Sequence, residues 1–120
     1  MQIHGREIKF RRTVMGNCKI ADASPGGDIG RLDELLNAEY GTAQRAAALF
    51  MAALSEGYEM NQHYEDPNYT MRPLTEEEAL LLDSDEFNAL FAEALGAFVA
   101  DGKQTVEAEP VKKTADEKPA

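Results

Sequence analysis

At residues 42–64 the chain reads TAQRAAALFMAALSEGYEMNQHY, which has the alanine content and the apolar spacing of a long helix. Thr42 is a good N-cap residue type, so we predict that the longest helix runs from Thr42 to about Tyr64. Its apolar residues recur every three or four positions, so one stripe is expected to face the core. The stripe contains Ala46, Leu49, Phe50, Ala53, Leu54 and Tyr58.

Two shorter helices are predicted before this one. Thr13 is a candidate N-cap for the first helix, and the sequence Ser-Pro-Gly-Gly at residues 24–27 ends it. Asp28 is a candidate cap for the second helix, which we expect to end by Gly41. The apolar residues of the second helix have helical spacing and are Ile29, Leu32, Leu35 and Leu36.

Two further helices are predicted after a loop at residues 65–73, which contains two prolines. Thr75 and Glu78 have the spacing of a capping box, and a short helix through residues 80–82 follows. Ser84 is a candidate cap for the last helix, which has the clearest amphipathic pattern in the chain. The large apolar face of that helix contains Phe87, Leu90, Phe91, Ala94, Leu95, Phe98 and Val99.

The opposite side of the last helix carries small side chains instead of charges, namely Ala89, Ala92, Gly96, Ala97 and Ala100. A helix with one large apolar face and one small, smooth face is able to pack on both sides. We therefore predict that this helix meets another chain; the alternative is an ordinary surface helix that is rich in alanine. The predicted partner-binding residues of this helix are Phe87, Leu90, Phe91, Ala92, Gly96 and Ala100.

The N-terminal residues have the two-residue period of a strand. Ile3 lies before a glycine, and Ile8 and Phe10 follow it in alternation with polar residues. We predict a small β-hairpin that turns near His4-Gly5 and presses its apolar residues onto the helices. Because a hairpin alone is only marginally stable, Ile3, Ile8 and Phe10 are also candidates for contact with a second chain.

The last residues of the chain have the composition of a disordered tail. From Gly102 onward there is no aromatic residue, leucine or isoleucine, so too little apolar surface is buried to offset the entropy of ordering. The predicted fold class is mainly α, in a single domain. It has a β-hairpin at residues 1–12, a compact body of about five helices at residues 13–101, and a disordered tail at residues 102–120.

The net charge of −10 is unevenly distributed along the chain. Residues 1–19 carry a net +4, which leaves −14 on the remaining residues. This polarity favours salt-dependent contacts between copies or with a partner; the alternative is that both regions are solvated faces. Nucleic acid is not the expected partner, because the basic cluster is short and lacks an aromatic stacking platform.

The sequence also bears on the compartment. No apolar run approaches the roughly 20 residues that cross a bilayer, and the first residues lack the apolar stretch of a signal peptide. The single cysteine, Cys18, excludes an internal disulfide and fits a reducing environment. We therefore expect a soluble intracellular protein that has no membrane partner.

No residue pattern in the chain predicts catalysis. Glu59 and His63 have the spacing of one edge of a metal site, but further ligands are missing. We expect this pair to lie solvated at the end of its helix. Cys18 has no nucleophile motif around it and is expected to be a small buried thiol. The prediction is a protein that is not an enzyme and that uses no cofactor or metal.

Two segments carry a family resemblance. The first reads IHGREIKF at residues 3–10 and is followed by Thr13-Val14. The second reads LTEE at residues 74–77, continues as a Phe- and Leu-rich helix to Phe98, and leads through TVEAE at residues 105–109 into a Lys/Glu/Pro tail. This layout resembles the tail assembly chaperones of long-tailed bacteriophages, which commonly begin with a short hydrophobic-Gly-Lys-hydrophobic-Phe hairpin ahead of a helical body.

The resemblance implies a function and a set of partners. Such chaperones keep the tail tube protein or the tape-measure protein soluble in the host cytoplasm, and they are absent from the mature virion. Many exist as a short and a longer form made by translational frameshifting; Gly102-Lys103 and Lys112-Lys113 are compatible with slippery codons. The alternative is a structural or regulatory homo-oligomer of phage morphogenesis that is retained in the particle.

Overall fold

The computed structural model describes residues 1–108, with the side chains of residues 1–101. It confirms the mainly helical fold class, with five α-helices and a two-stranded hairpin in this part of the chain. Two 3₁₀ turns, Pro25–Gly27 and Ile29–Arg31, link the first two helices. The elements are β1 (Gln2–Ile3), β2 (Arg6–Glu7), α1 (Val14–Ala23), α2 (Leu32–Leu36), α3 (Tyr40–Glu65), α4 (Glu76–Leu80) and α5 (Ser84–Ala108).

Helix α3 lies at the centre of the molecule, because α1, α2, α4 and α5 all contact it. Phe50, Met51 and Leu54 of this helix are fully buried. The single apolar stripe predicted for α3 is too narrow, since neighbours cover the helix on more than one side. Its buried residues are Ala47, Ala48, Phe50, Met51, Ala53, Leu54, Ser55, Gly57 and Glu59.

Helix α3 begins earlier than the sequence indicated, at Tyr40 instead of Thr42. Gly41 lies in the first turn, where the Ala43 N–H donates to the Glu39 carbonyl oxygen at 2.9 Å. A glycine costs a helix only about 0.5–1 kcal/mol, which is too little to end one that is held by a core. The predicted cap at Thr42 is therefore wrong, whereas the second helix does end before Gly41, at Leu36.

Of the two caps predicted before α3, Thr13 caps its helix, whereas Asp28 caps a 3₁₀ turn. The Thr13 hydroxyl oxygen accepts a hydrogen bond from the Gly16 N–H at 3.0 Å and starts α1. Asp28 Oδ1 accepts from the Gly30 N–H at 2.9 Å, but it caps the 3₁₀ turn Ile29–Arg31. Helix α2 proper begins only after that turn, so the second predicted helix is shorter than expected.

The N-terminal hairpin is antiparallel, with Gln2 opposite Glu7 and Ile3 opposite Arg6. It turns at His4 and Gly5, as predicted, and both residues have positive φ values of 50° and 81°. His4 is the only non-glycine residue of the described chain in that region of φ. The hairpin is too short to be stable alone, and its apolar side chains belong to the core of the helices.

The capping box before α4 is confirmed. The Thr75 hydroxyl oxygen accepts from the Glu78 N–H at 3.1 Å, and Glu78 Oε1 accepts from the Thr75 N–H at 2.9 Å. The predicted cap of α5 is displaced by one residue, because Asp83 Oδ1 accepts from the Glu86 N–H at 2.9 Å. Ser84, the predicted cap, is instead the first residue of the helix.

Helix α5 continues past the predicted end of the helical body. The sequence indicated an end near Asp101, whereas α5 runs to Ala108. Residues 102–108 therefore add backbone turns to a helix that is already anchored on α3. The rest of the predicted tail, residues 109–120, lies outside the described residues.

Candidate partner-binding surface

The inner side of α5 is fixed by aromatic contacts with α3. The ring of Phe50 lies 5.8 Å from that of Phe91 and 5.0 Å from that of Phe98, with interplanar angles of 70° and 61°. The Arg12 guanidinium lies 3.7 Å from the centre of the Phe98 ring. Edge-to-face pairs of this kind add to the burial energy and orient the helix. Since α5 is held in this rotation, its opposite side faces outward.

The outer side of α5 is mostly apolar, with the charge of Glu93 at one edge, and it is uncovered within the described part of the chain. Leu95 and Val99 are 37% and 52% exposed, although the sequence placed both in the core stripe. A Cβ atom built on Gly96 would meet no heavy atom within 4 Å. The exposed residues of this outer face are Ala89, Ala92, Leu95, Gly96, Val99 and Ala100. We call this set the α5 outer face.

The charges along α5 are all negative from its start to Asp101, where no lysine or arginine occurs. Burial lowers the pKa of the N-terminal amine, but this effect is outweighed by its contacts with Glu7 and Glu93, so the pKa is raised overall. Glu93 pairs with the amine at 3.1 Å. Asp101 Oδ2 accepts a hydrogen bond from the Arg12 backbone N–H at 2.8 Å. Asp85 and Glu86 lie in the first turn, where the helix dipole favours acidic groups.

The structure separates the predicted partner-binding residues into two groups. Ala92, Gly96 and Ala100 are exposed on the α5 outer face. The others belong to the chain's own core or pack against it. Phe87, Leu90, Ile3 and Ile8 are buried, and Phe91 and Phe10 are partly buried against the same core. The partner-binding role predicted for these six residues stays a prediction.

A cavity that the sequence did not indicate lies at the N-terminal end of α5. Its volume is about 260 Å³, and it lies between the start of α3, the end of α4 and the start of α5. Tyr40 and Leu80 line it and are 75% and 44% exposed. Three helix ends form this cavity, so no spacing within one element predicts it. Its lining residues are Tyr40, Gln44, Leu80, Leu82, Ser84, Phe87 and Asn88.

Of the predicted surface pair Glu59 and His63, Glu59 is buried and His63 is half-buried. Glu59 is only 1% exposed, and the Tyr69 hydroxyl donates a hydrogen bond to its Oε1. Burial first, and then this hydrogen bond, raise the pKa of Tyr69 to about 12. His63 Nε2 lies 2.7 Å from the Met71 carbonyl oxygen. The pair therefore fastens the segment between α3 and α4, and the solvated position predicted for it is wrong for Glu59.

The structure also gives the position of Cys18 and bears on metal ligands and membrane spans. Cys18, which the sequence predicted to be buried, is exposed on α1. Within residues 1–108, histidine, cysteine and carboxylate side chains form no cluster of three that would hold a metal ion. None of the described helices is long and apolar enough to cross a bilayer.

The basic N-terminal region is less available than its sequence suggests. Lys9 lies 5.8 Å from the centre of the Tyr58 ring. Three of the five cationic side chains in residues 1–19 are held by other parts of the chain. Arg6 contacts Glu78, Lys19 contacts Glu56, and Arg12 donates to Asn17 Oδ1 and the Phe98 carbonyl oxygen.

No protein-family model, curated protein or solved structure matches the chain.

Proposed function

We propose that the protein is a phage tail assembly chaperone that keeps a helical tail protein soluble until assembly. The observation that carries the proposal is the α5 outer face, an exposed apolar side on a 25-residue helix. Such a face is suited to receive the apolar side of another helix. The resemblance of the chain's layout to this family supplies the biological setting, which is the host cytoplasm and not the mature virion.

The tape-measure protein is the favoured client. A coiled-coil client presents an apolar helical stripe, and the small side chains of Ala92, Gly96 and Ala100 allow two helix backbones to approach closely. Strand addition by a tail tube protein is less well supported, because each hairpin strand has only two residues. The acidic surface would keep the complex soluble.

The second candidate is a homo-oligomeric morphogenesis protein that stays in the particle. The same exposed face of α5 would then contact a second copy of the chain. The two functions differ in whether the protein dissociates from its client during assembly or remains in the finished virion. They also differ in whether the α5 outer face is free in the purified protein.

Co-expression with the tape-measure and tail tube proteins of the same phage tests the proposal. The purified complex is analysed by light scattering for the wild type and for Ala92→Glu, which places a charge on the α5 outer face. Ala23→Glu is the matched control, because Ala23 is an exposed alanine on α1. We expect Ala92→Glu to abolish client capture and Ala23→Glu to leave it unchanged, with equal thermal unfolding of both variants.

Two outcomes would overturn the proposal. The first is a wild-type protein that captures neither tail protein. The second is stable incorporation of the protein into purified virions, which would favour the structural homo-oligomer. Gly96→Leu gives an independent check of the same surface. The added side chain enters open space, so it blocks only the close approach of another helix from outside.

A further inference from the structure

We infer that the cavity at the N-terminal end of α5 is an anchor site for the client helix. It would receive one large apolar side chain of the client, with a basic client residue beside it. This inference rests on the proposed function, because the client helix is the one that lies along the α5 outer face. It adds a specificity determinant that the face of small side chains does not provide.

The walls of the cavity suit an apolar anchor. Phe87 closes it from inside and is 7% exposed, whereas Leu80 and Tyr40 leave 44% and 75% of their surface uncovered. Large apolar groups that remain exposed around a concavity mark interaction sites. Interfaces obtain most of their energy from a few aromatic or aliphatic anchors in such pockets. Ser84 and Asn88 supply polar groups near those walls.

The position of the cavity relative to the α5 outer face sets the register of the client. Asn88 lines the cavity, and Ala92 lies one helical turn further along the same side of α5. At a rise of about 1.5 Å per residue, the distance from Asn88 to Val99 along the helix axis is about 17 Å. A client helix of three or more turns along this face would therefore place one terminal side chain over the cavity.

The charges next to the cavity favour a basic client residue. Glu39 precedes the lining residue Tyr40, and Asp83 and Asp85 lie on either side of the lining residue Ser84. The nearest cation in sequence is Arg45, whose guanidinium lies against Gly41 on α3. Acidic groups outnumber this cation, so a lysine or arginine beside the anchor is complementary, and an acidic residue is repelled.

A set of three peptide probes tests the anchor site. Each is an amphipathic helix of about 18 residues with a leucine face, because shorter isolated helices are marginal in water. The first peptide carries phenylalanine at one end of the leucine face and lysine beside it. The second replaces the phenylalanine with alanine, and the third replaces the lysine with glutamate. Binding to the full chain is measured by fluorescence anisotropy at constant ionic strength.

Two cavity variants and one control complete the design. Tyr40→Ala removes an exposed wall, and Asn88→Phe fills the cavity from α5. Tyr64→Ala is the matched control, because Tyr64 is also a highly exposed tyrosine, 88%, at the opposite end of α3. We expect each cavity variant to weaken binding of the first peptide by about tenfold and to leave binding of the alanine peptide unchanged. Tyr64→Ala is expected to bind all three peptides as the wild type does.

The outcomes separate the anchor site from the proposed function. In one outcome the wild type binds the peptides and Ala92→Glu abolishes binding, but the cavity variants bind the first peptide as the wild type does. If the alanine peptide also binds the wild type as tightly as the first peptide does, the anchor site is wrong and the function stands. If the wild type binds no peptide, both are overturned. If the free protein is a dimer that Tyr40→Ala converts to a monomer, a second copy occupies the cavity and the anchor site is also overturned.

Discussion

Gly57 and Gly96 are both interior residues of long helices, and the structure gives them opposite reasons for being glycine. At Gly57 the segment before α1 crosses α3 so closely that a Cβ atom would lie 2.5 Å from the Arg11 carbonyl oxygen. The crossing is held by the Arg11 N–H, which donates to the Leu54 carbonyl oxygen at 3.0 Å. At Gly96 the side of the helix is open. One glycine serves packing, and the other leaves the α5 outer face smooth.

This difference predicts opposite effects of the same substitution. We expect Gly57→Ala to lower the free energy of unfolding by about 1–3 kcal/mol, because the added methyl group overpacks against backbone. We expect Gly96→Ala to raise it by about 0.5–1 kcal/mol, because alanine is the better helix former and meets no neighbour. Urea denaturation of both variants measures the two changes. A loss of stability in Gly96→Ala would show that this side of α5 is covered.

At the scale of elements, the short helix α4 shows how one side chain joins several segments. Glu78 closes the capping box through its bond with the Thr75 N–H. Its carboxylate also accepts hydrogen bonds from Arg72 at 2.7 and 2.6 Å and from Arg6 of the hairpin at 3.3 Å. The bond with Arg72 is the main reason that the pKa of Glu78 falls to about 2. The start of α4, the segment before it and the hairpin therefore depend on one ionised group.

This network predicts how stability depends on pH in the acid range. A carboxyl group whose pKa is lower in the folded state stabilises the fold above its unfolded value, 4.5, and this stabilisation is lost as the pH falls toward 2. Glu78→Gln removes the titrating group, so we expect a variant that is less stable at pH 7 and loses less stability between these pH values. Urea midpoints measured across that range check the expectation. Parallel curves for the wild type and the variant would contradict it.

The elements also show which features the sequence was able to predict. The caps at Thr13 and Thr75 were correct because cap and partner lie three residues apart, within one local pattern. The environment of Glu59 was missed because its partner Tyr69 lies on a loop whose path over α3 no local pattern determines.

The predictions for the candidate site were likewise right where a local pattern determines the position and wrong where the tertiary arrangement does. Helical spacing correctly placed Ala92 on the side of α5 away from the core. Leu95 was misplaced because hydrophobicity does not reveal how wide a strip of α5 the neighbouring helix covers. The cavity depends on the meeting of three helix ends, which only the tertiary arrangement determines.

At the scale of the whole molecule, part of the basic start of the sequence is paired within one chain. The N-terminal amine pairs with Glu93 of α5, and Arg6 pairs with Glu78 at the start of α4. The basic beginning therefore lies against the acidic last third of the same chain. A head-to-tail ring held by charge would need these groups to face outward. The pairing of Arg6 and of the N-terminal amine reduces the charge available for that purpose, and the exposed α5 outer face favours an apolar contact.

This arrangement predicts that self-association is insensitive to the N-terminal charges. Lys9 and Arg11 are exposed cations of residues 1–19 that form none of the salt bridges in the described part of the chain. We expect the double variant Lys9→Glu/Arg11→Glu to sediment as the wild type does. The same sedimentation coefficient is expected between about 0.1 M and about 1 M salt, where the Debye length falls from about 10 Å to about 3 Å. An oligomer that dissociates with salt or with this charge reversal would instead support a head-to-tail assembly. Because surface charges far apart are screened over this range whereas apolar contacts are not weakened, the experiment separates the two modes of association.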